Sequence, residues 1–114
     1  MWNEVIQRLV QESLSESELS ALTHAPQLAL SDLCDGVARE VAEGYLQGTY
    51  TWEHCDLAMN NLFASAYAVG TFGLPTFAWR VFEAFDEGEY IHTDSAEPDG
   101  KPRTKALLLE FLTP

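Results

Sequence analysis

Apolar residues keep an unbroken three-four spacing from Leu30 through Leu33, Cys34, Val37, Ala38, Val41 and Ala42 to Tyr45. Only a helix of 3.6 residues per turn gathers all eight side chains on one face. A strand, alternating every second residue, would scatter them over both faces. The spacing recurs along the chain. Trp2, Val5, Ile6, Leu9, Val10 and Leu14 predict a first helix over about 3–14. Trp52, Cys55, Met59, Leu62, Phe63 and Ala66 predict a fourth. Leu57, Ala58, Ala64, Ala68 and Val69 widen that stripe, so the fourth helix is expected to be central and buried on more than one side. Phe77, Val81, Phe82 and Phe85 predict a fifth over about 75–86, and Leu107, Leu108, Leu109, Phe111 and Leu112 a last one.

Start and stop signals fit this division. Ser15 followed by Glu18 has capping-box spacing and opens a short second helix carrying Leu19 and Leu22, ended before Pro26. Ala29 or Ser31 opens the third helix and Gly48 stops it. Gly36 and Gly44 interrupt it, each costing about 1 kcal/mol against alanine. Gly44 is also a place for a close helix crossing. Thr51 is placed to cap the fourth helix, and Pro75 suits the first turn of the fifth. Asp86-Glu87-Gly88 ends it. A long irregular stretch over 88–103 follows, with a brief extended segment at Tyr90-Ile91, and Thr104 is read as the cap of the last helix. The expected fold is all-α, a compact bundle of five or six helices with one long acidic loop near the C-terminus. A chain of 114 residues fits a single domain, 1–114.

Charge narrows the function. Eighteen Asp and Glu face six Lys and Arg, giving a net charge of −12. Nucleic-acid binding requires cations to displace phosphate counterions, so nucleic acid is excluded as a partner, and an anionic membrane surface with it. At 46% hydrophobic residues the chain is too apolar for a disordered acidic tail. The N-terminus has no secretory pattern and no 18-residue window is uninterrupted apolar sequence, so a cytoplasmic protein is expected, with Cys34 and Cys55 reduced.

Chemistry-bearing motifs are sparse. His24, His54, His92 and the two cysteines show no metal-ligand spacing. Neighbours His54 and Cys55 diverge by about 100° on a helix. Aligning Gly100 with the glycine of a calcium loop puts Ser95 first and Ala106 last, so both end ligands fail. No metal, cofactor or catalytic residue is assigned. A small enzyme or metal binder using His54, His92 and the loop carboxylates stays open as an alternative, as does a Cys–His pairing.

The charges are unevenly placed. Residues 1–56 carry ten acids against Arg8 and Arg39, residues 57–82 carry none, and residues 83–99 carry seven without a base. Such segregation builds acidic surfaces able to steer a basic partner. The expected function is therefore a non-enzymatic interaction protein, concretely an immunity or antitoxin-type protein masking a basic partner. Asp32, Asp35, Glu40 and Glu43 on the third helix form one candidate face. Asp86, Glu87, Glu89 and Asp94 form another, with Trp79 or Tyr90 as the apolar anchor. Trp79 qualifies because it falls off the Phe77–Val81–Phe85 stripe. A homodimer or assembly subunit using uncharged 57–82 is the alternative. Lys101, Arg103 and Lys105 run against the trend, either balanced by the acidic loop or facing an anion.

Overall fold

The computed structural model describes residues 2–24, 29–68, 74–88 and 101–112. They form a bundle of six helices: α1 (Asn3–Gln11), α2 (Glu16–His24), α3 (Leu30–Leu46), α4 (Trp52–Ala68), α5 (Thr76–Gly88) and α6 (Lys101–Leu112). The expected extended segment at Tyr90-Ile91, and most of the acidic loop, lie outside the described residues. No described helix is long and apolar enough to cross a membrane.

The core is the set of stripes seen in the sequence. Leu33, Val37, Val41, Leu62, Val81, Phe85 and Leu108 have no exposed surface. α4 is central: it packs on α1, α3 and α5 and touches α2. The stretch read as nearly uncharged therefore supplies core on its inner face, through Ala58, Met59, Leu62 and Ala66.

α1 ends at Gln11, three residues short of the expected stop. Glu12 turns the backbone extended (φ −163°, ψ 164°), and Leu14 is still delivered to the core. Buried Ser65 of α4 accepts the Leu14 N–H at 2.7 Å and donates to the Asn61 carbonyl. Asn61 Nδ2 in turn donates to the carbonyl of Leu9, near the end of α1. Two polar side chains of α4 thus satisfy a carbonyl in the last turn of α1 and an N–H of the segment that follows it.

Ser15 and Glu18 form the reciprocal capping box, Ser15 N–H to Glu18 Oε1 at 3.1 Å and Glu18 N–H to Ser15 Oγ at 3.2 Å. Glu18 also pairs with Arg8, joining α2 to α1. Thr51 Oγ1 accepts the His54 N–H and caps α4. Gly48 adopts φ +82° just past α3, the left-handed backbone that glycine tolerates. Gly36 and Gly44, read as defects, serve as seats for rings. A Cβ on Gly36 would overlap Trp2, and one on Gly44 would overlap Tyr50.

Thr104 corrects the expected start of the last helix. α6 begins three residues earlier, at Lys101, with Pro102 in its first turn, where a missing N–H costs nothing. Thr104 is fully buried. Its hydroxyl donates to the Ala84 carbonyl at 2.7 Å and accepts the Trp52 indole N–H at 3.0 Å. It fastens α6 to α5 and α4 instead of capping a terminus.

Candidate interaction face

Helix geometry divides α5 into three sectors, at about 100° per residue. Ala78, Val81 and Phe85 enter the core. Arg80, Glu83, Ala84 and Glu87 turn toward α6. Trp79, Phe82 and Asp86 occupy the remaining side. The sector with Trp79 meets α4, which runs antiparallel: Trp52 lies beside Phe85 at one end, and Phe63 lies beside Trp79 and Phe82 further along.

Four rings share this surface. Phe63 stacks on Phe82 with centroids 4.9 Å apart, and Trp79 stacks on Phe82 at 5.3 Å. Phe63 also contacts Trp79 at 5.8 Å and Tyr67 at 6.1 Å. Tyr67 is 68% exposed and Trp79 39% exposed. Phe63 and Phe82 are half-buried beneath them. The neighbouring outer positions of α4, Leu57, Asn60, Ala64 and Ala68, carry no charge. Acids appear at one end of the surface. Asp86 lies one turn beyond Phe82, and Asp56 two turns before Phe63, at the Asp86 end because the helices are antiparallel.

Trp79 and Asp86, two residues expected from sequence, are thus brought to one face. Glu87 is not: it lines the α5–α6 side. Glu89, Tyr90 and Asp94 lie outside the described residues. The sequence reading missed both Phe63, which was absorbed into the broad α4 stripe, and Tyr67, which it did not single out. Their i, i+4 spacing opposite the i, i+3 pair Trp79–Phe82 was the available signal.

The expected acidic face of α3 divides. Asp32 and Glu43 are exposed, and Arg39 pairs with Glu43 at 3.6 Å while its guanidinium sits 4.6 Å above the Phe77 ring. Asp35 and Glu40 flank opposite borders of the buried stripe and are both half-buried. Asp35 Oδ1 accepts the Ala78 N–H at 3.1 Å, capping the first turn of α5 from a neighbouring helix. Glu40 Oε1 accepts the Trp2 N–H at 3.4 Å. Its negative charge, after burial, helps to push the Tyr50 hydroxyl above its ordinary pKa. Both carboxylates thus serve the fold, each holding a backbone N–H of another segment. Replacing Asp35 by alanine is expected to lower stability by about 1 kcal/mol, measured by urea unfolding, because an α5 N–H loses its acceptor.

The described residues contain no group of three or more His, Cys, Asp and Glu placed to hold a metal ion. His54 stacks on Tyr50, ring planes 4° apart, and His92 lies outside the described residues. Cys34 and Cys55 are buried and unbridged. Burial, with the charges of Asp35 and Asp56 respectively, pushes each thiol up to about 12. Near pH 7 both are protonated and lack thiolate nucleophilicity. No family model, curated protein or solved structure matches the chain.

Proposed function

We propose that this chain is a small non-enzymatic interaction protein that binds and masks a basic protein partner, as an immunity or antitoxin-type protein does. The observation that carries the reading is the α4–α5 face: four stacked rings, two of them exposed, with carboxylates at one end. Arginine suits both parts, since its guanidinium lies over aromatic faces and pairs with carboxylates. Exposed Trp and Tyr side chains on a rigid helix pair are typical anchors of binding energy. The acids supply steering, which the net charge of −12 extends over the surface.

The test is capture on immobilised protein at low and high salt, with partners identified by mass spectrometry. A basic protein should be retained at low salt, weakened at high salt, and lost from a Tyr67→Ala/Trp79→Ala variant. An equal yield of the same partner on that variant would overturn the reading.

A homodimer is the second reading, favoured by the uncharged outer positions of α4, where Leu57 is 48% exposed. Light scattering after size exclusion decides it: a 12.7 kDa particle at high concentration removes it.

A further inference from the structure

The rings of the α4–α5 face form a row in which each is nearly parallel to the next. Tyr67 lies at 23° to Phe63, Phe63 at 19° to Phe82, and Phe82 at 27° to Trp79. Phe63 and Phe82 each stack on two neighbours, so the exposed ring surface belongs mainly to the two ends of the row, Tyr67 and Trp79. A flat ring face suits a flat cation, which gains both charge attraction to the π-system and contact area. Lysine offers a compact, strongly hydrated ammonium and gains less. The chain itself shows the arginine arrangement elsewhere. Arg39 lays its guanidinium 4.6 Å above the Phe77 ring while pairing with Glu43 at 3.6 Å. The α4–α5 face holds the same two elements, ring and carboxylate, further apart: Asp86 lies seven residues along α5 from Trp79, about 10 Å. Charge decides against a second copy as the occupant, since it would bring another net −12 to an acidic surface.

We propose, resting on the reading of this face as the docking surface for a basic protein, that the ring row selects arginine: partner arginines stack on the exposed rings of Tyr67 and Trp79, and a further cation, about 10 Å beyond Trp79, meets the acidic end at Asp86 and Asp56. That separation is about seven residues of a helix or three of an extended strand, so the partner segment carries its second cation at one of those spacings from the stacked arginine. The two ends of the face do different work. The acidic end accepts either kind of cation, and the rings tell arginine from lysine.

The probes are hexaarginine and hexalysine peptides, acetylated and amidated, equal in length and charge. Each is titrated into isotope-labelled full-length protein near physiological salt, where exposed charges are screened, and followed by NMR at the Trp79 indole N–H and the α4 and α5 amides. Hexaarginine should bind about threefold tighter or more, and should move the Trp79 signal further at saturation. Tyr67→Leu/Trp79→Leu keeps apolar side chains but removes the ring faces, and should bind the two peptides equally. Tyr67→Phe/Trp79→Phe keeps the rings and should keep the preference. Equal affinity of wild type for the two peptides would overturn the proposal, as would an arginine preference that survives in the leucine variant. Wild type and the phenylalanine variant carry the comparison if the leucine variant does not fold. The docking face is tested separately. A basic partner captured by wild type and lost from Tyr67→Ala/Trp79→Ala keeps the face even where arginine and lysine peptides bind alike, and an arginine preference at the rings holds even where a captured partner ignores them.

Discussion

Phe85→Ala is expected to lower the unfolding free energy by about 3–5 kcal/mol. The ring has no exposed surface. It meets Tyr45 of α3 edge-on at 5.3 Å and Trp52 of α4 at 6.4 Å, so one side chain joins three helices. Truncation removes its transfer energy, leaves a cavity, and deletes two aromatic contacts. A domain of this size is stable by about 5–15 kcal/mol, so the loss is a large fraction of the total. Urea unfolding followed by circular dichroism measures it. A loss below about 1 kcal/mol would mean that Phe85 is not at the junction of these helices. Trp79→Ala, at a partly exposed ring, is expected to cost about 1 kcal/mol or less. The contrast separates the aromatic residue that holds the fold from the one offered to a partner.

Stability should also fall steeply above about pH 9. Both buried thiols are held near pKa 12 in the folded chain, against about 9 when unfolded. Below pH 9 they are protonated in both states and contribute no pH dependence. Between 9 and 12 the unfolded chain releases the protons and the folded chain keeps them, so each rise in pH favours unfolding. The slope is about 1.4 kcal/mol per pH unit for each thiol. Unfolding of wild type and a Cys34→Ala/Cys55→Ala variant, compared from pH 8 to 11, isolates it. The variant should decline clearly less steeply. Identical slopes would show that the thiols are not buried as described.

Local signals in the sequence carried most of the fold. The capping box at Ser15 and Glu18, the Thr51 cap and the glycine after α3 are contacts between residues a few positions apart, and each is present. Periodicity placed Leu33, Val41 and Phe85 in the core because burial of a helix face depends on spacing alone. What escaped were polar bonds between helices. Asp35 to Ala78, Asn61 to Leu9 and Thr104 to Ala84 join positions far apart in the chain, and no spacing rule connects them. An acid on the border of a helix face looks the same in sequence whether it meets water or the end of another helix. That is why Asp35 and Glu40 read as surface charge, and why Thr104 read as a cap.

The candidate face was half legible for the same reason. Trp79 stood out by falling off its stripe, and Asp86 by lying in an acidic run. Phe63 and Tyr67 belong to a helix apolar around most of its circumference, and only its packing shows which side stays open. Segregated charge suggested two acidic faces. On α3, Asp35 and Glu40 are engaged within the fold, and Glu43 is paired with Arg39.

The most direct test is a hydrogen-exchange footprint of the complex with the captured basic partner. Protection is expected along α4 from Asp56 to Ala68 and along α5 from Trp79 to Asp86, with α3 unchanged. Protection confined to α3 between Asp32 and Glu43, with α4 and α5 unaltered, would contradict the assignment of the aromatic face as the binding surface.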